Sequence, residues 1–350
     1  MARSRREYLI ALGAAGTVGI AGCYKAVIRP SLIEQWTFEA GSNYYSSPVV
    51  VDGTVYIGNE HGHVYGVDAD TGDQQWIFET GDIFVNQLRS PTVADGIVYI
   101  GCANHNLYAL DADSGNEEWT FEAGDGVYSP IEADGTVYVG SMDHNLYALN
   151  AASGNQQWGF ETDDVVTSQP EVADGTVYVG SHDHNLYALN AASGDQQWAF
   201  EASDTVYSPT VVDGTVYAGS ADHNLYAIAA RSGERHWDFE ADDGVGNPTV
   251  VDGTVYAGSA DHNLYAVDAR SGERQWTFET ADVVGSQPVV SDGTVYVGSW
   301  DATVYAIDAA SGDRQWAFRT GDRVLASPAV VDDTVYVGST DGNLYALSGK

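Results

Sequence analysis

"DGTVYVGSMDHNLYALNAASGNQQW", Asp134 to Trp158, decides how this chain folds, because near copies of it end at Trp198, Trp237 and Trp276. Within it, two runs rich in β-branched and aromatic residues are bounded by Asp-Gly and Ser-Gly, which reads as strand, turn, strand. Working outward, a Trp followed by x-Phe recurs at Trp36, Trp76, Trp119, Trp158, Trp198, Trp237, Trp276 and Trp316, at intervals of 39 to 43 residues. Each unit runs Ser/Gln/Asn-Pro, a short apolar stretch, Asp-Gly, a "TVYVG" strand, a turn, an "NLYAL" strand, a turn and the Trp strand. Four strands repeated about every 40 residues are the pattern of β-propeller blades.

"TVYxG"-type strands start near Thr54, Ile97, Thr136, Thr176, Thr215, Thr254, Thr294 and Thr334, so there are eight blades. The eighth unit reaches Leu347 without a Trp strand, while "LIEQWTFEA" (Leu32 to Ala40) stands alone at the front. The sequence therefore predicts an all-β, eight-bladed propeller of four-stranded antiparallel blades over residues 32–350, closed by an N-terminal strand that completes the last blade and covers its edge. The tryptophans are expected in the core, each indole packed on the neighbouring blade with its N–H bonded to a backbone carbonyl. The histidine of each central copy (His144, His184, His223, His262) is expected at a positive-φ turn tip rather than in a metal site. Equivalent histidines on adjacent blades are too far apart to share an ion, and His61 with His63, or His182 with His184, supply two ligands at most.

The formal net charge is −36, from 50 acidic and 14 basic residues, and the only lysines are Lys25 and Lys350. Such a surface repels nucleic acid and anionic membrane, and its self-repulsion is relieved at molar salt, where the Debye length is about 3 Å; a halophilic protein is expected. "SRREYL" (Ser4 to Leu9), with Arg5 and Arg6, resembles a twin-arginine export signal, and "IAGC" (Ile20 to Cys23) resembles a lipobox. The apolar stretch between them is too short to span a bilayer. Residues 1–22 thus read as a lipoprotein signal peptide and 23–31 as a tether lipidated at Cys23, on the extracellular face of the cytoplasmic membrane. With Cys102 the only other cysteine, no intramolecular disulfide is expected.

The repeat resembles that of the pyrroloquinoline quinone (PQQ) dehydrogenases, whose docking motif Ala152, Gly154 and Trp158 approach, and the BamB-type lipoproteins of outer-membrane assembly, which share the repeat without the cofactor. The first resemblance implies PQQ with Ca²⁺, held in those enzymes by insertions and, in many, a disulfide of adjacent cysteines. Here the blades are minimal and Cys102 has no neighbouring cysteine. The expected function is a non-catalytic binding or scaffold protein, monomeric, without cofactor or metal. Its ligand would be a surface protein, peptide or carbohydrate, with an acidic partner disfavoured by charge.

Blades 3 to 6 are near copies, so individuality lies elsewhere. Blade 1 has "NEHGHVY" (Asn59 to Tyr65), the long connection into blade 2 holds Asn86, Gln87 and Arg89, and blade 7 carries Trp300. In a meander the turn after "TVYVG" and the inter-blade link share one end of the ring. That end is expected to be the binding face, formed by Glu60, His61, His63, Asn86, Gln87, Arg89, Tyr128, Gln169, Tyr207, Asn247, Gln287 and Trp300.

Overall fold

The computed structural model describes residues 32–44, 46–81 and 87–349, and these form eight four-stranded antiparallel sheets. Blade 1 consists of strands from Val49–Val51, Thr54–Gly58, His63–Asp68 and Gln74–Glu79, from the axis outward. Six blades of the same plan follow. Blade 8 is built from Ala329–Val331, Thr334–Gly338 and Asn343–Gly349, with strand β1 (Leu32–Glu39) as its outer strand. Strand β1 pairs antiparallel, Leu32 opposite Gly349 and Glu39 opposite Asn343, as the lone front segment predicted. The first strand of each blade contacts the first strands of both neighbours, blade 8 and blade 1 included, so the ring is closed. The signal and tether readings, with Arg5, Arg6 and Cys23, lie outside the described residues.

Turn chemistry sets each blade's register. In the Asp-Gly hairpins both residues have positive φ, 50° at Asp134 and 78° at Gly135, the mirror-image turn whose twist matches the flanking strands. Blade 8 achieves the same turn with Asp332 and Asp333, at 49° and 63°. The turn histidines are left-handed as expected, with φ of 72° at His144 and 75° at His184. Gly62, Ala302 and Gly342 take that conformation in blades 1, 7 and 8.

Blades are joined by one repeated dock. Trp119 Nε1 and Tyr99 Oη of blade 2 both donate to the carbonyl of Ala151 in blade 3, at 2.9 and 3.3 Å. The Trp119 indole lies on Gly154, where an added Cβ would come within 2.6 Å of the ring. The acceptor is thus Ala151, and Ala152, which the family resemblance suggested, is exposed; the correct spacing is Ala-x-x-Gly-x-x-x-Trp. The same arrangement closes the ring: Trp36 Nε1 of β1 and Tyr336 Oη of blade 8 donate to Ala69 of blade 1, and Trp36 covers Gly72. Trp316 instead lies against Gly349 at the 7–8 boundary. Between docks, Phe and Tyr rings meet edge to face, as Phe38 does with Tyr65 at 5.2 Å.

Trp36→Ala is expected to lower unfolding free energy by about 3 to 5 kcal/mol, read from denaturant melts in molar salt. Gly72→Ala should also destabilise, because its φ of 75° and the indole beneath both oppose a Cβ. At the turn tip, His144→Gly should stay within about 1 kcal/mol of wild type, whereas His144→Val should cost about 1 to 2 kcal/mol.

Candidate functional site

The turn after the second strand and the inter-blade link do share one end of the ring: Met142 N donates to Gly126 O and Trp300 N to Val283 O, both at 2.9 Å. At the centre of this end, which we term the mouth, is a cavity of about 430 Å³ bordered by the residues that precede proline in each repeat. These form a hydrogen-bonded circle. Ser47 N donates to Ser90 Oγ, Ser90 N to Ser129 Oγ, Gln169 N to Ser208 Oγ and Ser208 N to Asn247 Oδ1. Gln287 N donates to Ser327 Oγ, and Ser327 N to Ser47 Oγ. The two remaining junctions are bridged by Gln169 Nε2 to Pro130 O at 2.8 Å and Gln287 Nε2 to Pro248 O at 3.0 Å. Gln169, Asn247 and Gln287, read from the sequence as binding residues, therefore link blades. The recurrence of Ser, Asn or Gln before the Pro of each repeat was the available signal.

Around the circle the turns of blades 3 to 8 are each held by an aspartate that accepts from a tyrosine hydroxyl. Asp143 Oδ2 accepts from Tyr147 Oη at 2.7 Å and from Gly124 N, and its Oδ1 accepts from Asn145. Burial opposes its charge, but these donors outweigh burial and hold the carboxyl below its usual range. Blades 1 and 2 lack this lock. His61 and Asn104 replace the aspartate, and the tyrosine hydroxyls meet His63 Nδ1 at 3.2 Å and Asn104 Nδ2 at 2.8 Å instead. Blade 7 keeps Asp301 but has Thr303 in place of Asn, and Asp301 Oδ1 is left buried without a partner.

Of the remaining candidates, Glu60 is half-buried and accepts from Asn43 Nδ2 at 3.1 Å, and His61 is exposed. Gln87 O accepts from Ala103 N, while Asn86 lies outside the described residues. The Arg89 guanidinium sits 4.0 Å from the centre of the Tyr128 ring, and its Nε is buried without a partner. Tyr207 is half-buried, its hydroxyl pKa raised by burial and then by Asp204 and Asp243. Trp300 is 36% exposed, its ring edge over Gly285 and its face 5.1 Å from the Arg323 guanidinium, a residue the sequence reading did not single out. His182 Nε2 is engaged with Thr167 Oγ1 at 2.9 Å. Cys102 is buried, its thiol pushed up to about 11 mainly by burial. Among the described residues no group of three or more His, Cys, Asp or Glu is placed to hold a metal ion.

Tyr44 Oη, Asn59 Nδ2 and Thr80 Oγ1 join Arg89 Nε and Asp301 Oδ1 as the buried side-chain atoms without a hydrogen-bond partner among the described residues. Each such atom costs about 1 to 3 kcal/mol in a folded protein. All five fall at the mouth end of blades 7, 1 and 2 or their links, and none in blades 3 to 6.

The family model described as outer membrane protein assembly factor BamB matches residues 33–125, 105–238, 203–283 and 241–350. Among solved structures, BamB from Moraxella catarrhalis is 21% identical with a TM-score of 0.78, covering 91% of this chain and 98% of that one. The computationally designed Ika8 protein is 16% identical, TM-score 0.82, covering 91% and 99%. Quinohemoprotein alcohol dehydrogenase from Comamonas testosteroni is 16% identical, TM-score 0.77, covering 93% of this chain and 78% of that one. At these identities the structures share the fold. No curated protein matches the chain.

One carboxylate on an innermost strand gives a pH prediction. Burial raises the pKa of Glu171, so its contribution is favourable below the unfolded value, about 4.3, and is lost as pH rises through the higher folded value. Glu171→Gln should therefore melt at a higher temperature than wild type at pH 7, with the difference closing as pH falls towards about 4.

Proposed function

This chain belongs to the family described as outer membrane protein assembly factor BamB, and on that premise we propose that it is a non-catalytic binding or scaffold propeller whose mouth receives a partner protein. The observation that carries this reading is the distribution of departures from the repeat: they gather at the mouth of blades 7, 8, 1 and 2, while blades 3 to 6 remain near copies. Residues needed only for the ring should be alike in every blade. Those that differ together at one end are the natural contact set.

We place the protein on the outer face of the cytoplasmic membrane through a lipid on Cys23, in a halophile whose salt screens its charge. Strand β1 enters at Leu32, opposite Gly349, and runs towards the mouth, where Glu39 pairs with Asn343. The tether thus joins the end away from the mouth. Residues 23–31 are nine in number (31 − 23 + 1) and reach at most roughly 30 Å at about 3.3 to 3.6 Å each. On this reading the mouth faces away from the membrane and is open to other surface proteins.

A PQQ dehydrogenase is the second reading, motivated by the likeness to quinohemoprotein enzymes. Against it stands the donor set of the mouth cavity, which is hydroxyl, amide and apolar with no carboxylate among the residues bordering it. Ca²⁺ is usually held by six to eight oxygens, carboxylates prominent among them, so these residues do not fit the ion.

Wild type is expected in the membrane fraction and Cys23→Ser in the soluble exported fraction, with both retaining the partner captured from surface extracts. Purified protein given PQQ and Ca²⁺ should oxidise ethanol or glucose no faster than a protein-free control in a dye-linked assay. Oxidation above that control overturns the non-catalytic reading.

A further inference from the structure

The whole-chain charge argues against an acidic partner, and Glu39, Glu60 and Glu79 lie at the mouth end, yet the cations of that end gather in one arc. Among the described residues, the cations at the mouth end are Arg89, Arg319 and Arg323, in blades 2, 7 and the link into blade 8. Arg231, Arg235, Arg270, Arg274 and Arg314 all lie in third-to-fourth-strand turns or outer-strand starts, at the far end. Arg319 occupies an outer-strand position that is glutamate in the other seven blades: Glu39, Glu79, Glu122, Glu161, Glu201, Glu240 and Glu279.

Among the described residues none of these three guanidiniums forms an ion pair despite the many carboxylates, and at the far end Arg231, Arg270, Arg274 and Arg314 form none either. The one arginine ion pair among the described residues is Arg235 with Asp238 at the far end. Near Arg323 each carboxylate serves another donor, though Asp301 Oδ1 is left without one. Asp322 Oδ1 accepts from the Arg323 backbone N–H, Asp341 Oδ2 from Gly321 N and Tyr345 Oη, and Asp301 Oδ2 from Ala281 N and Tyr305 Oη. Arg89 and Arg323 rest instead on the Tyr128 and Trp300 rings, which orient a guanidinium without neutralising it. In the same arc, Asn59 Nδ2, Tyr44 Oη and Asp301 Oδ1 are buried without hydrogen-bond partners among the described residues. The guanidiniums of Arg89 and Arg323, held on rings where the repeat breaks down, suit a ligand that brings acceptors.

We infer that the mouth arc from Trp300 of blade 7 to Tyr128 of blade 3 is a docking surface for a partner protein segment bearing carboxylates, anchored by Arg323 on Trp300 and Arg89 on Tyr128. This rests on the reading of the protein as a binding propeller and names its partner's chemistry. At molar salt only direct contacts survive screening, so bidentate guanidinium–carboxylate pairs, rather than net charge, supply recognition.

The test exchanges arc residues for those found at the same places in other blades, which the fold already accepts. The variant Trp300→Ala, Arg319→Glu, Arg323→Val takes its residues from Ala260, Glu279 and Val283. Arg89→Tyr takes its residue from Tyr128. The probe is fluorescein-labelled hexaglutamate, followed by anisotropy in molar KCl, with folding checked by near-ultraviolet circular dichroism. Wild type should bind hexaglutamate in preference to hexalysine and oligogalacturonate. Both variants should bind about tenfold more weakly or not at all, and Arg231→Ala at the far end should bind like wild type. No binding by wild type, preference for hexalysine or oligogalacturonate, or unchanged binding by the folded variants overturns the inference. If the triple variant still captures a surface protein that hexaglutamate does not displace, this inference fails while the binding-protein reading stands; if wild type captures none, that reading fails too.

Discussion

The ring depends on an indole lying flat on a glycine. At each regular junction the tryptophan of one blade covers a left-handed glycine of the next, and its N–H shares an alanine carbonyl with a tyrosine hydroxyl of its own blade. The contact combines a large apolar burial with a directed bond that fixes the angle between sheets. Any side chain at the glycine would separate the layers, so the dock tolerates little variation. Strand β1 carries Trp36 into the same dock on Ala69 and Gly72, and a linear chain becomes a closed ring without an exposed sheet edge.

A structure held this way divides its polar groups between two tasks. Near the axis, the residues before each proline tie neighbouring blades together, and two glutamine side chains bridge the junctions where the backbone donor is not used. Farther out, aspartates lock the turns and are stabilised as anions by tyrosine and backbone donors. Groups satisfied in these ways have little left to offer a partner. What remains is the set that breaks the pattern: His61 and Asn104 where aspartate belongs, Thr303 where asparagine belongs, and arginines resting on rings. Among the described residues, the buried atoms left unsatisfied all lie on the same side of the ring as these departures.

Much of this was legible in advance. The eight-fold count, the closing strand, the turn role of His144 and the packing of the tryptophans follow from spacing and residue type, because hairpin turns and strand periods are local. The family resemblance placed the dock one residue off, at Ala152, since which carbonyl meets the indole depends on how two sheets pack. That the candidate binding residues gather at one end of the ring was legible, but not the partners each of them meets there. Gln169, Asn247 and Gln287 look like ligand contacts in sequence and prove to be bonded to adjoining blades.

The sequence by itself determined the architecture: a repeated four-strand unit with one missing strand at the back and one spare at the front admits one closure. Only the tertiary structure decided which polar residues are spent and which are free. Hydrogen-bond partners lie about 40 residues apart in the chain, as Gln169 and Pro130 do, and the Arg89–Tyr128 stack spans a blade boundary. Local pattern specifies that such groups reach the mouth. Whether each meets an acceptor there is set by the packing of neighbouring blades, which no single repeat encodes.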